Sequence, residues 1–276
     1  MTGGGRPFRQ VDVFPGSALG GNPVAVVLDA EGLDDDAMRA FARWTHLSET
    51  TFVLPPTIGG ADYRLRIFTP AAELPFAGHP TLGSAHAWAE HTGSTADRMV
   101  QECGVGLVDL RRTDDGWALA APPLIRSGPA SDEEIATIAA GLGIGPWDVL
   151  AAEWVDNGPG WVLVVLRDAE SVLEIQPDLA MMRFPTGVVG PFGADGPADY
   201  EVRAFVPGLG VDEDPVTGSL NAGIATWFFA SGRATDGYTV RQGTAVGANG
   251  LVRVSRDAEG VWIAGATRSV LSGCIV

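Results

Sequence analysis

The feature of this sequence that most restricts its fold is an internal repeat. Three motifs from the first half recur in the second half, in the same order and 137 to 140 residues later. They are a valine-rich run, an Arg-x-Phe-x-Pro motif and a glycine followed by small residues, in the paired segments 24–29 with 162–168, 66–70 with 203–207, and 78–85 with 218–225. One such match arises easily by chance, but three in the same order predict two halves of similar structure.

The segments that follow the repeated glycines have an unusual composition. Residues 82–89 and 220–229 are small or apolar on almost every side of a helix. A helix that is apolar all round is buried all round. The sequence therefore predicts an α+β fold with two pseudo-symmetric domains, each a β-barrel-like sheet around a central helix. A single Rossmann sheet fits poorly, because no Gly-x-Gly-x-x-Gly motif follows a first strand.

Local patterns place the other elements and the domain boundary. The alternation in residues 63–69 predicts a half-buried strand, and residues 81–90 form a predicted helix. A proline- and glycine-rich stretch near residues 122–132 reads as the boundary between the halves. We expect domains at residues 8–122 and 132–270, and the C-terminal strand is a candidate to pack back on the first domain.

The composition excludes several classes of protein. The 18 basic residues are all arginine, against 34 acidic residues, which gives a net charge of −16. A chain without lysine can form neither a lysine Schiff base nor the lysine contact of a phosphate-binding P-loop. Its negative charge disfavours nucleic acids and anionic membrane surfaces as partners.

The start of the chain and its cysteines carry little information about function. The first ten residues lack the apolar core of a signal peptide, and no run of 18 apolar residues predicts a membrane span. We therefore expect a cytoplasmic protein. Cys103 and Cys274 have no metal or redox spacing, and we expect both to be buried as small apolar residues.

Each half places a glycine turn directly before its predicted central helix. The turns are Ala77-Gly78-His79-Pro80 and Thr217-Gly218-Ser219. Helix N-termini offer unpaired N–H groups and partial positive charge, which suit carboxylates. If the halves face each other, two such termini meet at one cleft and hold a small anionic metabolite. Plain helix capping by glycine and serine is the alternative.

Candidate proton-transfer groups lie beside these turns. Glu49 precedes an apolar strand, where partial burial would raise its pKa; the alternative is a solvated acid at the end of a strand. Three acids at 212–214 either form an acidic first turn or include one that faces the substrate. His79 is either a general acid or hydrogen-bond donor, or a polar residue at a helix start. No set of side chains has metal-ligand spacing, so we expect no metal.

Four ordered blocks resemble the signature blocks of the phenazine biosynthesis-like (PhzF-like) family. The blocks are GNPVAVV at 21–27, LSETTF at 47–52, RIFTPAAELPFAGHPTLGS at 66–84 and GVDEDPVTGS at 210–219, and the resemblance covers about residues 8–270. It implies the diaminopimelate epimerase-like fold, with the active site between two similar domains. It also implies a homodimer.

The resemblance assigns roles to residues of this chain. Glu49 matches the family's catalytic glutamate, which moves a proton between carbons of the substrate, and His79 and Asp214 match its polar partners. The type reaction is the isomerisation of a dihydro-hydroxyanthranilate without cofactor or metal. A carboxyl group with a raised pKa can both remove and return a proton, which agrees with that reaction.

The same resemblance places Gly78, Gly218 and Ser219 at the substrate site. Related racemases and epimerases use two cysteines where this chain has Ala77 and Thr217, so two-thiol chemistry is excluded. We therefore expect an isomerase that needs no cofactor and acts on a small carboxylated metabolite. The alternatives are a non-catalytic protein that binds such a metabolite, and a hydrolase or lyase that uses the same carboxyl group with water.

Overall fold

The computed structural model describes residues 5–207 and 212–276 of the chain. The contacts between residues divide the chain into two compact units. The first unit consists of the chain up to Ala120 together with Ala264–Val276, and the second of Ala121–Ile263. Gly210 and Val211, which begin the fourth sequence block, lie outside the described residues.

The first unit is built on a mixed β-sheet that closes on itself. Eight strands lie side by side in the order β1-β2-β3-β4-β6-β7-β8-β16, β16 pairs again with β1, and the short β5 pairs with β4. Within the described residues this makes a closed eight-strand barrel. The strands are β1 (Arg6–Val13), β2 (Asn22–Val27), β3 (Glu49–Leu54), β4 (Tyr63–Phe68), β5 (Glu73–Leu74), β6 (Arg98–Cys103), β7 (Gly106–Arg112), β8 (Gly116–Ala120) and the part of β16 (Gly260–Ile275) from Ala264 onward.

Two helices of different character complete the first unit. Helix α1 (Asp35–Thr45) is amphipathic, and the Asp34 side chain caps it by accepting a hydrogen bond from the Ala37 N–H at 2.8 Å. Helix α2 (Gly78–Thr92) is buried on nearly all sides and packs on β1, β2, β3 and β8. A Cβ atom at Gly83 would overlap Val24, which explains the glycine at this position.

The second unit repeats this design. Its strands lie in the order β9-β10-β11-β12-β13-β14-β15-β16. They are β9 (Arg126–Pro129), β10 (Ala151–Asp156), β11 (Val162–Val165), β12 (Thr186–Pro191), β13 (Tyr200–Phe205), β14 (Tyr238–Gln242), β15 (Gly250–Asp257) and the first residues of β16.

The strand pairings of the two units follow the same pattern. From β1 to β7 the successive pairings are antiparallel, parallel, antiparallel, parallel and antiparallel. From β10 to β15 the pairings run in the same order. The internal repeat found in the sequence is therefore confirmed as a repeat of topology.

The central helix of the second unit is α5 (Gly218–Ser231). It packs on β10 and β15, and Gly223 lies against the backbone of Val155. The other helices are α3 (Asp132–Leu142), which begins with a capping box of Ser131 and Glu134, and the short α4 (Ala169–Leu173). As in the first unit, the helix without a polar face is the one inside the sheet.

The structure differs from the sequence predictions at the start of α2 and at the two cysteines. Helix α2 starts at Gly78 rather than Thr81, because Pro80 is tolerated in a first turn whose N–H groups have no partner within the helix. The expected burial of the cysteines is wrong: Cys103 is half-buried where β6 enters a hairpin, and Cys274 is exposed near the chain end. None of the described helices has both the length and the apolar character that a membrane span requires.

Candidate functional site

The N-terminus of α2 is a place where backbone donors are not matched by a capping side chain. Ala77 precedes the helix in an extended conformation (φ −151°, ψ 140°) and carries no polar atom. First-turn N–H groups have no acceptor within their own helix. The N–H groups of Gly78 and His79 therefore lie where the partial positive charge of the helix is strongest.

Glu49 and His79 contact each other beside this helix start. Glu49 is the first residue of β3, and its side chain keeps 14% exposure, whereas His79 keeps 3%. The Nε2 atom of His79 lies 3.2 Å from Oε2 of Glu49. The contact forms because α2 packs on β3, whose parallel pairing with β2 sets Glu49 opposite Val24.

Two residues that the sequence analysis did not single out hold the His79 ring. Asn22 Nδ2 lies 3.2 Å from His79 Nδ1, and the Ser48 hydroxyl donates to Asn22 Oδ1 at 3.2 Å. We assign the ring proton of His79 to Nε2, because the other tautomer would turn a nitrogen lone pair toward the Glu49 carboxylate. In this tautomer the Asn22 amide donates to Nδ1, and Nε2–H lies on the side of Glu49.

The His79 ring is neutral near neutral pH. Burial lowers the pKa of His79 from 6.5 to about 3, because the charged ring would lose its hydration.

In the second unit, the three acids before α5 have three different surroundings. Asp212 is exposed. Glu213 forms a buried ion pair with Arg203, with 2.7 Å between Oε2 and Nη2. Asp214 accepts a 2.6 Å hydrogen bond from the Thr217 hydroxyl, at the residue that precedes α5. Asp214 is thus the acid placed at the helix start, and Glu213 fixes its segment to β13.

Ser219, in the first turn of α5, is held by two residues that lie before β11. Trp161 Nε1 donates to Ser219 Oγ at 3.0 Å, and Asn157 Nδ2 donates to the Ser219 carbonyl at 2.8 Å. Because the Ser219 oxygen accepts a hydrogen bond from Trp161, the Ser219 hydroxyl can donate its own hydrogen bond to a second partner. Neither Trp161 nor Asn157 was singled out from the sequence.

The site residues from the sequence thus form one group in each unit. Glu49, His79 and Gly78 lie together in the first unit, and Asp214, Gly218 and Ser219 lie together at the start of α5 in the second. That both groups serve one substrate stays a prediction. Within residues 5–207 and 212–276, no group of three or more His, Cys, Asp or Glu side chains is placed to hold a metal ion.

Two repeated β-sheet units, each with a buried central helix, define the diaminopimelate epimerase-like fold class. A solved PhzF-family phenazine biosynthesis protein from Enterococcus faecalis superposes with a TM-score of 0.80 at 25% identity, over 98% of each chain. The model of the family described as phenazine biosynthesis-like protein matches residues 11–273. This chain belongs to that family.

Two curated relatives match at 37% identity. One is the Schizosaccharomyces pombe protein named antisense-enhancing sequence 1, over 96% of this chain and 97% of that protein. The other is trans-2,3-dihydro-3-hydroxyanthranilate isomerase of Pseudomonas aeruginosa, over 79% of this chain and 78% of that enzyme. The chain is an isomerase, which sets aside the non-catalytic binding protein as an alternative.

Proposed function

We propose that the protein moves a proton between two carbons of a small carboxylated metabolite without a cofactor, and that Glu49 removes and returns this proton. The observation that carries the proposal is the contact of Glu49 with the buried ring of His79, at 3.2 Å beside the start of α2. A partly buried carboxyl group can act as both acid and base in one reaction.

The chemistry of the pair supports Glu49 rather than His79 as the proton carrier. His79 is neutral, and its Nδ1 lone pair accepts from Asn22, so the ring has no ready site for a substrate proton. Its Nε2–H can instead stabilise the negative charge on Glu49, or on the substrate when Glu49 holds the proton. We propose that His79 acts as this fixed hydrogen-bond donor.

The substrate carboxylate needs donors that this chain must supply without lysine. We propose that the first-turn N–H groups at Gly78 and at Gly218 bind it, together with the Ser219 hydroxyl. Asp214 would then accept a hydrogen bond from a hydroxyl or amino group of the substrate. The relative named as trans-2,3-dihydro-3-hydroxyanthranilate isomerase makes an amino acid with a ring hydroxyl the first substrate to try.

The test is turnover of trans-2,3-dihydro-3-hydroxyanthranilate, and of a pool of small cellular acids, in deuterated water. We expect a product that is an isomer of the substrate, with one hydrogen replaced by deuterium from the solvent, because the Glu49 carboxyl group exchanges its proton with water. Glu49→Gln keeps the shape but cannot carry the proton, so turnover should fall about 10²- to 10⁴-fold.

Glu31→Gln, which alters an exposed acid in the same unit, is the control and should keep native turnover. Full activity of Glu49→Gln would refute the assignment of the proton carrier. A product heavier by one water, or lighter by a lost fragment, would identify hydrolysis or elimination and refute the isomerisation.

We also propose that the protein works in the cytoplasm as a homodimer with a small anionic metabolite as its partner. Sedimentation equilibrium at micromolar concentration should give about twice the mass of one chain. Cell fractionation tests the compartment.

A further inference from the structure

Gln242 is a buried residue at the start of α5 for which the reaction proposed above has no role. It is the last residue of β14 and is fully buried. Its side-chain oxygen accepts from the Thr217 N–H at 3.1 Å and from Asn221 Nδ2 at 2.9 Å. Its nitrogen donates to the Asp214 carbonyl at 3.1 Å and to the Thr217 hydroxyl at 2.8 Å.

Two backbone groups fix the orientation of this amide. The Thr217 N–H can only donate, so the atom facing it is Oε1, and the Asp214 carbonyl can only accept, so the atom facing it is Nε2. A flipped amide would break both bonds. The second Nε2–H of Gln242 therefore donates to the Thr217 hydroxyl oxygen, and the O–H bond of Thr217 must point in another direction. Its acceptor is Asp214 Oδ2, 2.6 Å away.

We propose that Gln242 is a positioning residue. By donating to the Thr217 oxygen, it orients the Thr217 hydroxyl so that this hydroxyl donates a hydrogen bond to Asp214 Oδ2. That hydrogen bond holds the Asp214 carboxylate in one orientation toward the substrate. This inference rests on the proposed role of Asp214. A short hydrogen bond from a hydroxyl to a carboxylate is among the stronger ones in proteins, so it can set the position of the acid.

The first unit supplies a comparison. Gln101 is the buried glutamine of β6, the strand that corresponds to β14, and it donates to Thr81 at 3.0 Å and accepts from Tyr63 at 3.1 Å. The residue before α2 is Ala77, which has no hydroxyl. Gln101 pairs with Tyr63, whereas the corresponding Tyr200 pairs with Val240, so Gln101 lies two residues earlier in its strand than Gln242. It makes no link through a capping hydroxyl to an acid, because Ala77 has none.

Four single variants and one double variant test the inference. Gln242→Glu keeps the shape but replaces the donating nitrogen by an acceptor, so the Thr217 hydroxyl should turn to the new carboxylate and leave Asp214. Thr217→Val removes the hydroxyl, and Thr217→Ser restores it. Gln101→Glu makes the same change at the buried glutamine of β6 and is the control. Circular dichroism and thermal unfolding show that each variant is folded.

With the substrate found above, Gln242→Glu and Thr217→Val should each lower kcat about 10- to 100-fold, the size expected for a hydrogen bond to a charged group. Thr217→Ser should recover most of the activity. In the Thr217→Val background, Gln242→Glu should lower kcat less than about twofold further, because the path through the hydroxyl is already absent. Additive losses would overturn the inference and identify Gln242 as a purely structural residue.

A second measurement needs no substrate. Proton NMR of the native protein should show a slowly exchanging hydroxyl proton that is assigned to Thr217 by its absence in Thr217→Val. Its resonance should move in Gln242→Glu and stay in place in Gln101→Glu. An unchanged resonance in Gln242→Glu would overturn the inference. If Glu49→Gln kept full turnover while this resonance moved, the proposed reaction would fail and the hydrogen-bond chain would stand.

Discussion

Lowering the pH should weaken the fold through His79. The folded protein keeps this ring neutral, with a pKa of about 3, whereas the unfolded chain binds a proton near pH 6.5. Between these values the unfolded state holds more protons, so the contribution of His79 to stability is lost as the pH falls. From pH 7 to pH 5 the loss is about 2 kcal/mol by proton linkage.

Urea denaturation followed by tryptophan fluorescence at pH 7 and pH 5 measures this loss. Other groups titrate in the native protein and in His79→Gln alike, so the difference between their pH dependences isolates the ring. His46→Gln, which removes an exposed histidine at the end of α1, is the control and should follow the native curve. Equal pH dependence for native protein and His79→Gln would refute the reasoning.

Two further predictions concern the stability of the fold, one through the charge of Glu201 and one through the packing of Gly223. Burial raises the pKa of Glu201 to about 7, so native stability should fall by about 1.4 kcal/mol from pH 6 to pH 8, and Glu201→Gln should abolish this fall in urea titrations. Gly223→Ala places a Cβ against the Val155 carbonyl and should cost about 1–3 kcal/mol, while Gly193→Ala, with open space around it, should melt like the native protein in calorimetry.

The fold was accessible from the sequence because its main signals are local. A helix without a polar face needs burial on every side, and the small residues around Gly83 and Gly223 carry that signal without any long-range information. Because the two halves repeat the same motifs, each half surrounds its buried helix with strands in the same arrangement. The strand pairings of the two units have the same order for this reason.

The residues that hydrogen-bond to the site residues could not be predicted from local sequence patterns. Asn22 lies 57 positions before His79, and their contact depends on how β2 and α2 pack, which no local pattern encodes. Gln242 follows Thr217 by 25 positions and reaches it only because β14 ends beside α5. A usable signal did exist for Asn22 and Ser48, since both lie inside the blocks that carried the family resemblance.

The two central helices begin alike and differ at the residue that precedes each of them. Ala77 has no polar side-chain atom, and the polar contact of the first unit is made by His79 with Glu49. Thr217 has a hydroxyl, which connects Gln242 to Asp214. A duplicated fold provides the same backbone twice, and side chains at corresponding positions give each copy its own chemistry.

A threonine at position 77 would not by itself rebuild the second network in the first unit. The amide of Gln101 already donates to Thr81 and accepts from Tyr63, so it is oriented by side chains rather than by the backbone at the helix start. In the second unit the backbone of Thr217 and Asp214 fixes the amide of Gln242. The halves therefore differ both in the residue before the central helix and in the groups that orient the buried glutamine. In the second unit the Thr217 hydroxyl lies beside a glutamine whose amide the backbone already fixes.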